Sequence, residues 1–443
     1  MTLIEQALST ATDTREFRVG HGILPQTAEV FKTHFPGKKA RIVADETTWR
    51  VAGERVFAIL RDAGVDCAEP LVFPARPQPY ADVDFLARVR AAIESGGPDC
   101  RAVAVGAGTL NDLCKRASTE LERPYMCVAT AASVDGYASY GAPITKEGFK
   151  KTWPCAAPIA IVADSEILLT APRDLTASGY ADLAAKIPSG SDWIIADALE
   201  EVPIRPDIWA TTQTPLRDWV ADPAGLAAGD PAAMGKLFTG LAMTGFAMQT
   251  MHDSRPASGA EHLFSHCWEM HHILRPDGTT PSHGDKVGIG SLCTTHLMES
   301  LFAKPFTAAD IDAAVAAYPS WESREAFIRS QFEPGLMLNE VIAASRSKYP
   351  TPEKLRARLG LLASKWDDLA ARVKAQLYTF DELRSRLSAA GCPVTPEGIG
   401  VKAADVHVTA LRAELIRNRY TILDLAQDAG RLNVLAHELD TIW

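Results

Sequence analysis

The stretch Arg101–Ser118, RAVAVGAGTLNDLCKRAS, limits what this chain can fold into more than any other. Ala102–Val105 is an apolar run of buried-strand length, Gly106-Ala107-Gly108-Thr109 ends it, and the residues that follow read as a helix. The same alternation surrounds it. Arg41–Trp49 reads as a strand ending at Asp45, followed by a helix with Val51, Val56, Ile59 and Leu60 at helical spacing and Gly64 as its stop. Leu71–Phe73 is a further strand, and Phe85, Leu86, Val89 and Ile93 share one face of the next helix. Strand and helix in turn predict a parallel sheet with helices covering its faces.

Tyr125–Ser139, YMCVATAASVDGYAS, gives another strand, ending in small hydroxylated residues and Asp135-Gly136. Pro158–Pro172 reads as two strand segments turning at Asp164-Ser165. Ligands of wound sheets gather at the carboxyl ends of strands, which is where Thr130, Ser133 and Asp135 fall. The glycines after Val105 allow close backbone approach, and helix N-terminal amides attract phosphate. The pattern is short of a full GxGxxG fingerprint, and a plain tight turn uses the same residues.

Beyond Pro172 the texture changes to helix, with start signals at Thr307 and Asp310, at Thr351-Pro352-Glu353, and at Thr379 and Glu382. We therefore expect an α/β domain over residues 1–172 and an all-helical domain over 173–443. At 443 residues the chain exceeds one ordinary core, in keeping with two domains. A net charge of −10 argues against nucleic acid as a partner and requires local cations for any anionic substrate. Eight scattered cysteines without a CxxC pair read as reduced, buried residues. No apolar run reaches the roughly eighteen residues of a membrane span. Glu5, Asp13 and Glu16 also break any signal-peptide pattern, so a cytoplasmic protein without membrane insertion is expected.

The chemistry points elsewhere, to Ser254–Gly284, which holds five of the eleven histidines: His262, His266, His271, His272 and His283. Neutral imidazole offers a metal its lone pair without burying charge. His262 and His266 stand four apart and share a helix face, as in HExxH proteases, but Leu263 occupies the position of the catalytic glutamate there. His283 is another candidate ligand. A catalytic site of three protein ligands needs one more, and the residues alone do not choose among Asp182, Asp253, Asp277 and Asp285.

Taken in order, the GAGTLND turn, TAASVDGYAS, the Asp182 segment, SRPASGAEH with PSHGDKVGIG, and the late RNRYTILDLA resemble the glycerol-1-phosphate dehydrogenase family. That family lies within a wider group of metal-dependent alcohol dehydrogenases that includes dehydroquinate synthases. The resemblance implies a Rossmann-like nucleotide-binding domain, a helical domain, and an active site with a divalent metal in the cleft between them. It assigns Asp182, His262 and His283 as metal ligands and Gly106, Gly108, Thr109, Asp112, Thr130 and Ser133 as nucleotide contacts. Asp135 matches a residue beside nicotinamide and substrate. Lys151 matches the family lysine of the nucleotide site, with Lys150 as its rival. Ala181 and Ala107 depart from the family pattern.

The implied reaction is hydride transfer between NAD or NADP and a small phosphorylated substrate, dihydroxyacetone phosphate becoming sn-glycerol 1-phosphate. Another polyol or sugar phosphate, or a dehydroquinate-synthase-like lyase reaction, fits the same parts. The donor set suits zinc, with nickel or iron as alternatives. His266 is a proton-relay candidate, Arg255 and Lys286 are candidates for the substrate phosphate, and His271 and His272 are read as peripheral. Asp45, at a strand end, can accept from a ribose hydroxyl and would repel a 2′-phosphate, which favours NAD. A homo-oligomer is expected.

Overall fold

The computed structural model describes residues 1–146 and 149–443, without the side chains of Phe149 and Lys150. Lys150 as a nucleotide ligand therefore lies outside the described residues. The chain forms two compact units, each built from two stretches: Met1–Leu183 with Ala210–Ser254, and Ala184–Trp209 with Arg255–Trp443. A single cut after residue 172 does not describe this division, because the units interleave along the sequence.

The first unit carries the sheet. Its strands are β1 (Glu16–Gly20), β2 (Lys39–Asp45), β3 (Leu71–Phe73), β4 (Cys100–Gly106), β5 (Met126–Ala129) and β8 (Ala160–Asp164), all parallel, in the order β1-β8-β5-β4-β2-β3. β6 (Ala142–Lys146) and β7 (Phe149–Trp153) form a separate antiparallel pair. Central strands are apolar because helices cover them: Val103, Val105, Met126, Val128 and Val162 share one buried cluster with Leu24, Val30, Phe31, Val56 and Leu60. The later part of this unit is held by the helix Pro231–Met251. Its Phe238 stacks on Phe17 of β1, its Phe246 meets the same ring edge-on, and Gln249 donates to the Thr14 hydroxyl at 2.9 Å. Those contacts keep residues 210–254 with the sheet.

Two local expectations change. Residues after Asp164 form a helical turn, Ser165–Leu168, and not a strand, because the Asp164 carboxylate accepts from the Glu166 amide and caps it. β1 and the β6-β7 pair were not expected; β1 is a short edge strand with Arg18 and Glu16 salt-bridged to each other, so its apolar signal is weak.

From Arg173 onward every described element is helical. In the second unit Pro352–Gln376 packs on Lys186–Ala198, and Ala260–Met270 packs on His283–Phe302. The last two cross closely at Gly290, where a β-carbon would stand 2.4 Å from the Glu261 carbonyl oxygen. A buried ion network, Arg324 with Glu414 and Lys348 with Asp424, ties later helices together. Among the described residues no helix is long and apolar enough to cross a membrane.

Candidate functional site

The glycine turn sits where the sheet topology wants a ligand. The chain leaves β2 for β3 on one side and returns to β4 on the other, so the carboxyl ends of β2 and β4 flank the switch point of the sheet. Val43 pairs with Ala104, which brings Asp45 and Gly106 level two residues further on. Ala107 is extended and provides no side-chain cap to the helix Gly108–Glu120, leaving the first-turn amides to an anion. Thr109 lies in that first turn, and Asp112 follows at 3.7 Å from the Lys115 ammonium. Asp45 is pinned: its Oδ1 accepts from the Thr47 and Thr48 amides at 2.8 Å each. Lys151 is exposed on β7, away from the six-stranded sheet in pairing.

Beyond β5, Thr130 and Ser133 are buried and the chain turns at Asp135. The loop from Asp135 to Gly141 is fastened from below by Lys115, a fully buried side chain that donates to the carbonyls of Gly136, Ser139 and Gly141 at 2.8, 3.0 and 3.1 Å. From the other side comes the helix Arg173–Ala184. A β-carbon at Gly179 would stand 1.8 Å from the Ala132 carbonyl oxygen, so only glycine permits this approach. One turn on, the buried Asp182 accepts from the Asp135 amide at 2.9 Å. The structure thus joins two of the expected site residues, Asp135 and Asp182, and Gly179 is the residue that sequence reading missed between them.

In the second unit His262, His266 and Glu269 lie at i, i+4 and i+7 of the helix Ala260–Met270, on one face. His283 opens the next helix, whose cap is Ser282. The His262 and His283 rings are 5.3 Å apart, centroid to centroid, and His266 is 6.3 Å from His262. Each ring meets a carboxylate through Nδ1: His262 with Glu261 Oε1 at 2.8 Å, His283 with Glu269 Oε1 at 3.1 Å, and His266 with Glu269 Oε2 at 3.4 Å. When a carboxylate at Nδ1 takes a neutral ring's N–H, Nε2 is the lone-pair atom, the arrangement found in metal-ligating histidines.

Electrostatics agree. Burial opposes ionisation of Glu269, but the imidazoles outweigh it and hold its carboxyl well below the ordinary range. Desolvation pushes His266 down to about 4 against the pull of Glu269, and the direction alone leaves that ring neutral near pH 7. Behind Glu261, the buried Asp192 accepts from the Ala260 and Ile422 amides at 2.6 Å each. Burial, then the neighbouring Glu261 charge, pushes the Asp192 carboxyl up to about 8.

The two expected phosphate cations are engaged within this unit. Arg255 donates to the Tyr420 carbonyl at 2.9 Å, and Lys286 lies 3.4 Å from Glu269 and donates to the Pro281 carbonyl. His271 and His272 are exposed. Glu261, Glu269 and Asp192 were not anticipated. For Glu269 a signal existed, since its spacing from both helix histidines is helical.

Comparison with known proteins agrees with this architecture. The family model described as iron-containing alcohol dehydrogenase matches residues 18–172. A glycerol-1-phosphate dehydrogenase [NAD(P)+] from Halalkalibacterium halodurans is 36% identical over 58% of this chain and 64% of its own length, so the chain spans just under two thirds of that relative. Another of the same name, from Haloarcula marismortui, is 33% identical over 68% of this chain and 83% of its own. Among solved structures, a maleylacetate reductase from Agrobacterium tumefaciens shares the fold, with a TM-score of 0.60 at 15% identity over 97% of each chain. With an alternating α/β half, the Asp182–Asp135 contact and the paired imidazoles all in place, the chain belongs to the glycerol-1-phosphate dehydrogenase family.

Proposed function

We propose that the chain interconverts dihydroxyacetone phosphate and sn-glycerol 1-phosphate by NAD(P)-dependent hydride transfer, with a divalent metal held by Asp182, His262 and His283. The observation that carries this reading is the pair of close imidazoles, each with Nδ1 against a carboxylate. One carboxylate with two imidazoles suits zinc, and iron(II) or nickel uses the same donors. When bound, the metal supplies Lewis acidity toward the reacting carbonyl or hydroxyl, and the dinucleotide supplies or takes up the hydride.

The remaining work falls to the chain's own residues. The first-turn amides at Gly108 and Thr109 receive the dinucleotide phosphates, with Gly106, Asp112, Thr130, Ser133 and Lys151 as further contacts. Asp135, its amide held by Asp182, lies at the nicotinamide end of that site. His266, neutral near pH 7 with Nδ1 toward Glu269, exchanges a proton with the substrate oxygen through Nε2. Conversion of ketone to alcohol consumes one hydride and one proton; the neutral ring takes that proton from solvent at Nε2 and passes it to the substrate oxygen, and in the reverse direction Nε2 accepts the hydroxyl proton and releases it to solvent.

The test is spectrophotometric NADH and NADPH oxidation with a panel of phosphorylated ketones, with and without chelator. Turnover is expected with dihydroxyacetone phosphate, abolished by chelator and restored by added divalent metal. No net nicotinamide oxidation with any ketone, or activity indifferent to exhaustive chelation, would sink the reading.

A further inference from the structure

Histidine rings ligate metals well only when something fixes which nitrogen carries the proton, and in this molecule one helix provides that for both candidate imidazole ligands. Glu261 and Glu269 lie near opposite ends of Ala260–Met270, Glu261 directly before His262 and Glu269 seven residues after it. Glu261 is fully buried, and its Oε1 accepts from the Gly259 amide at 2.7 Å as well as meeting His262 Nδ1. Because the carboxylate is anchored to the helix start, a side chain adjacent in sequence, which ordinarily points elsewhere, is bent back onto its neighbour's ring. Glu269 uses both oxygens. Oε1 meets His283 Nδ1 at 3.1 Å and lies 3.4 Å from the Lys286 ammonium, while Oε2 meets His266 Nδ1 at 3.4 Å.

We propose that Glu269 is a positioning residue that sets the tautomer of two rings at once, the ligand His283 and the proton-exchanging His266, while Glu261 does the same for His262. This rests on the ligand set proposed above. A neutral imidazole has one N–H; a carboxylate at Nδ1 claims it, so Nε2 becomes the donor atom of His262 and His283 and the proton acceptor of His266. Lys286 holds a cation 3.4 Å from Glu269 Oε1, the oxygen that meets His283. Carboxylates that hold a ligand histidine in this way typically contribute about 10–100-fold to metal affinity. The bland reading is that Glu269 merely closes an ion pair with Lys286, in which case the ring tautomers and the metal affinity do not depend on it.

Titration of the metal-free full chain with Co2+, read by its visible absorption, separates the two. Glu269→Gln and Glu269→Ala are expected to weaken Co2+ binding about 10–100-fold. NADH binding to the metal-free protein, followed by fluorescence, should stay near that of the parent. Glu269→Gln should also change ring 15N shifts, because its amide nitrogen must face one Nδ1 and force that ring into the other tautomer. Should the variants fail to fold, 15N-histidine spectra of the parent still decide, since both His262 and His283 must carry their proton on Nδ1. Co2+ affinity within about twofold of the parent in both variants, or an Nε2–H tautomer at His283, overturns the proposal. If His262→Ala loses Co2+ while Glu269→Gln keeps it, the inference fails and the ligand set stands. If His262→Ala binds Co2+ like the parent, the ligand set itself is wrong and the inference falls with it.

Discussion

Asp192 shows how far a single buried carboxyl can bias this protein's stability. It accepts two backbone amides, one at the start of the Ala260–Met270 helix, yet burial and the Glu261 charge push it up to about 8. A folded value above the ordinary carboxylate value means the folded protein holds a proton that the unfolded chain has released. The stabilisation linked to that proton is complete below about pH 4 and is lost as pH rises to about 8. Asp192→Asn cannot titrate, so its unfolding midpoint should fall less steeply than the parent's between those limits. At the acid end, where neither side chain is charged, the variant should be less stable by about 1–3 kcal/mol, because the amide nitrogen would face one of the two N–H groups. Parallel pH profiles for parent and variant in denaturant unfolding would reject this role. None of this was legible in the sequence, where Asp192 is one acidic residue in a helical stretch; its partners Ala260 and Ile422 are 68 and 230 residues away. The histidines, by contrast, announced themselves by type and spacing, although the carboxylates behind them did not.

At the scale of elements, the helix Arg173–Ala184 is the clearest case of packing that sets chemistry. Asp182 holds the Asp135 amide only because Gly179, one turn earlier, lets the helix lie against Ala132 and Ser133. Gly179→Ala would put a methyl group 1.8 Å from the Ala132 carbonyl oxygen, and backbone on both sides leaves no flexible tip to give way. The helix must back off by roughly an ångström, a displacement that costs about 100-fold when it moves catalytic groups. We expect kcat/KM for dihydroxyacetone phosphate to drop by about that factor, with stability lowered by about 1–3 kcal/mol. Gly235→Ala is the control: nothing stands within 4 Å of its added carbon, and alanine favours the helix, so stability should hold or rise slightly. Equal kinetics for Gly179→Ala and the parent would remove Gly179 from the site. The strands bearing the nucleotide turn were readable because their apolar runs and glycine stops are local signals. β1 and the β6-β7 pair were not, since a charged edge strand and a small surface hairpin lack that contrast.

At the scale of the whole molecule, the helix-rich second half was legible but the division into units was not. Residues 210–254 return to the sheet-bearing unit because Phe238 and Phe246 find Phe17, a pairing that no local pattern announces. The sheet order has a more direct functional consequence. It places Asp45 and Gly106 together at the switch point, in a chain whose net charge of −10 offers phosphates no general attraction. On the proposed reading, a dinucleotide there would set its pyrophosphate on the uncapped helix amides and its adenosine ribose toward Asp45. The carboxylate is fixed by the Thr47 and Thr48 amides, so it cannot swing aside from a 2′-phosphate. The parent should therefore use NADH with higher kcat/KM than NADPH. Asp45→Ser removes the charge but keeps a side-chain oxygen that caps helices well, so folding should be little affected. The NADPH to NADH efficiency ratio should rise at least about tenfold, equivalent to about 1.4 kcal/mol of relieved repulsion. Steady-state kinetics with both cofactors at fixed dihydroxyacetone phosphate decide it: a parent that prefers NADPH, or an unchanged ratio in Asp45→Ser, would take nucleotide selection away from this strand end.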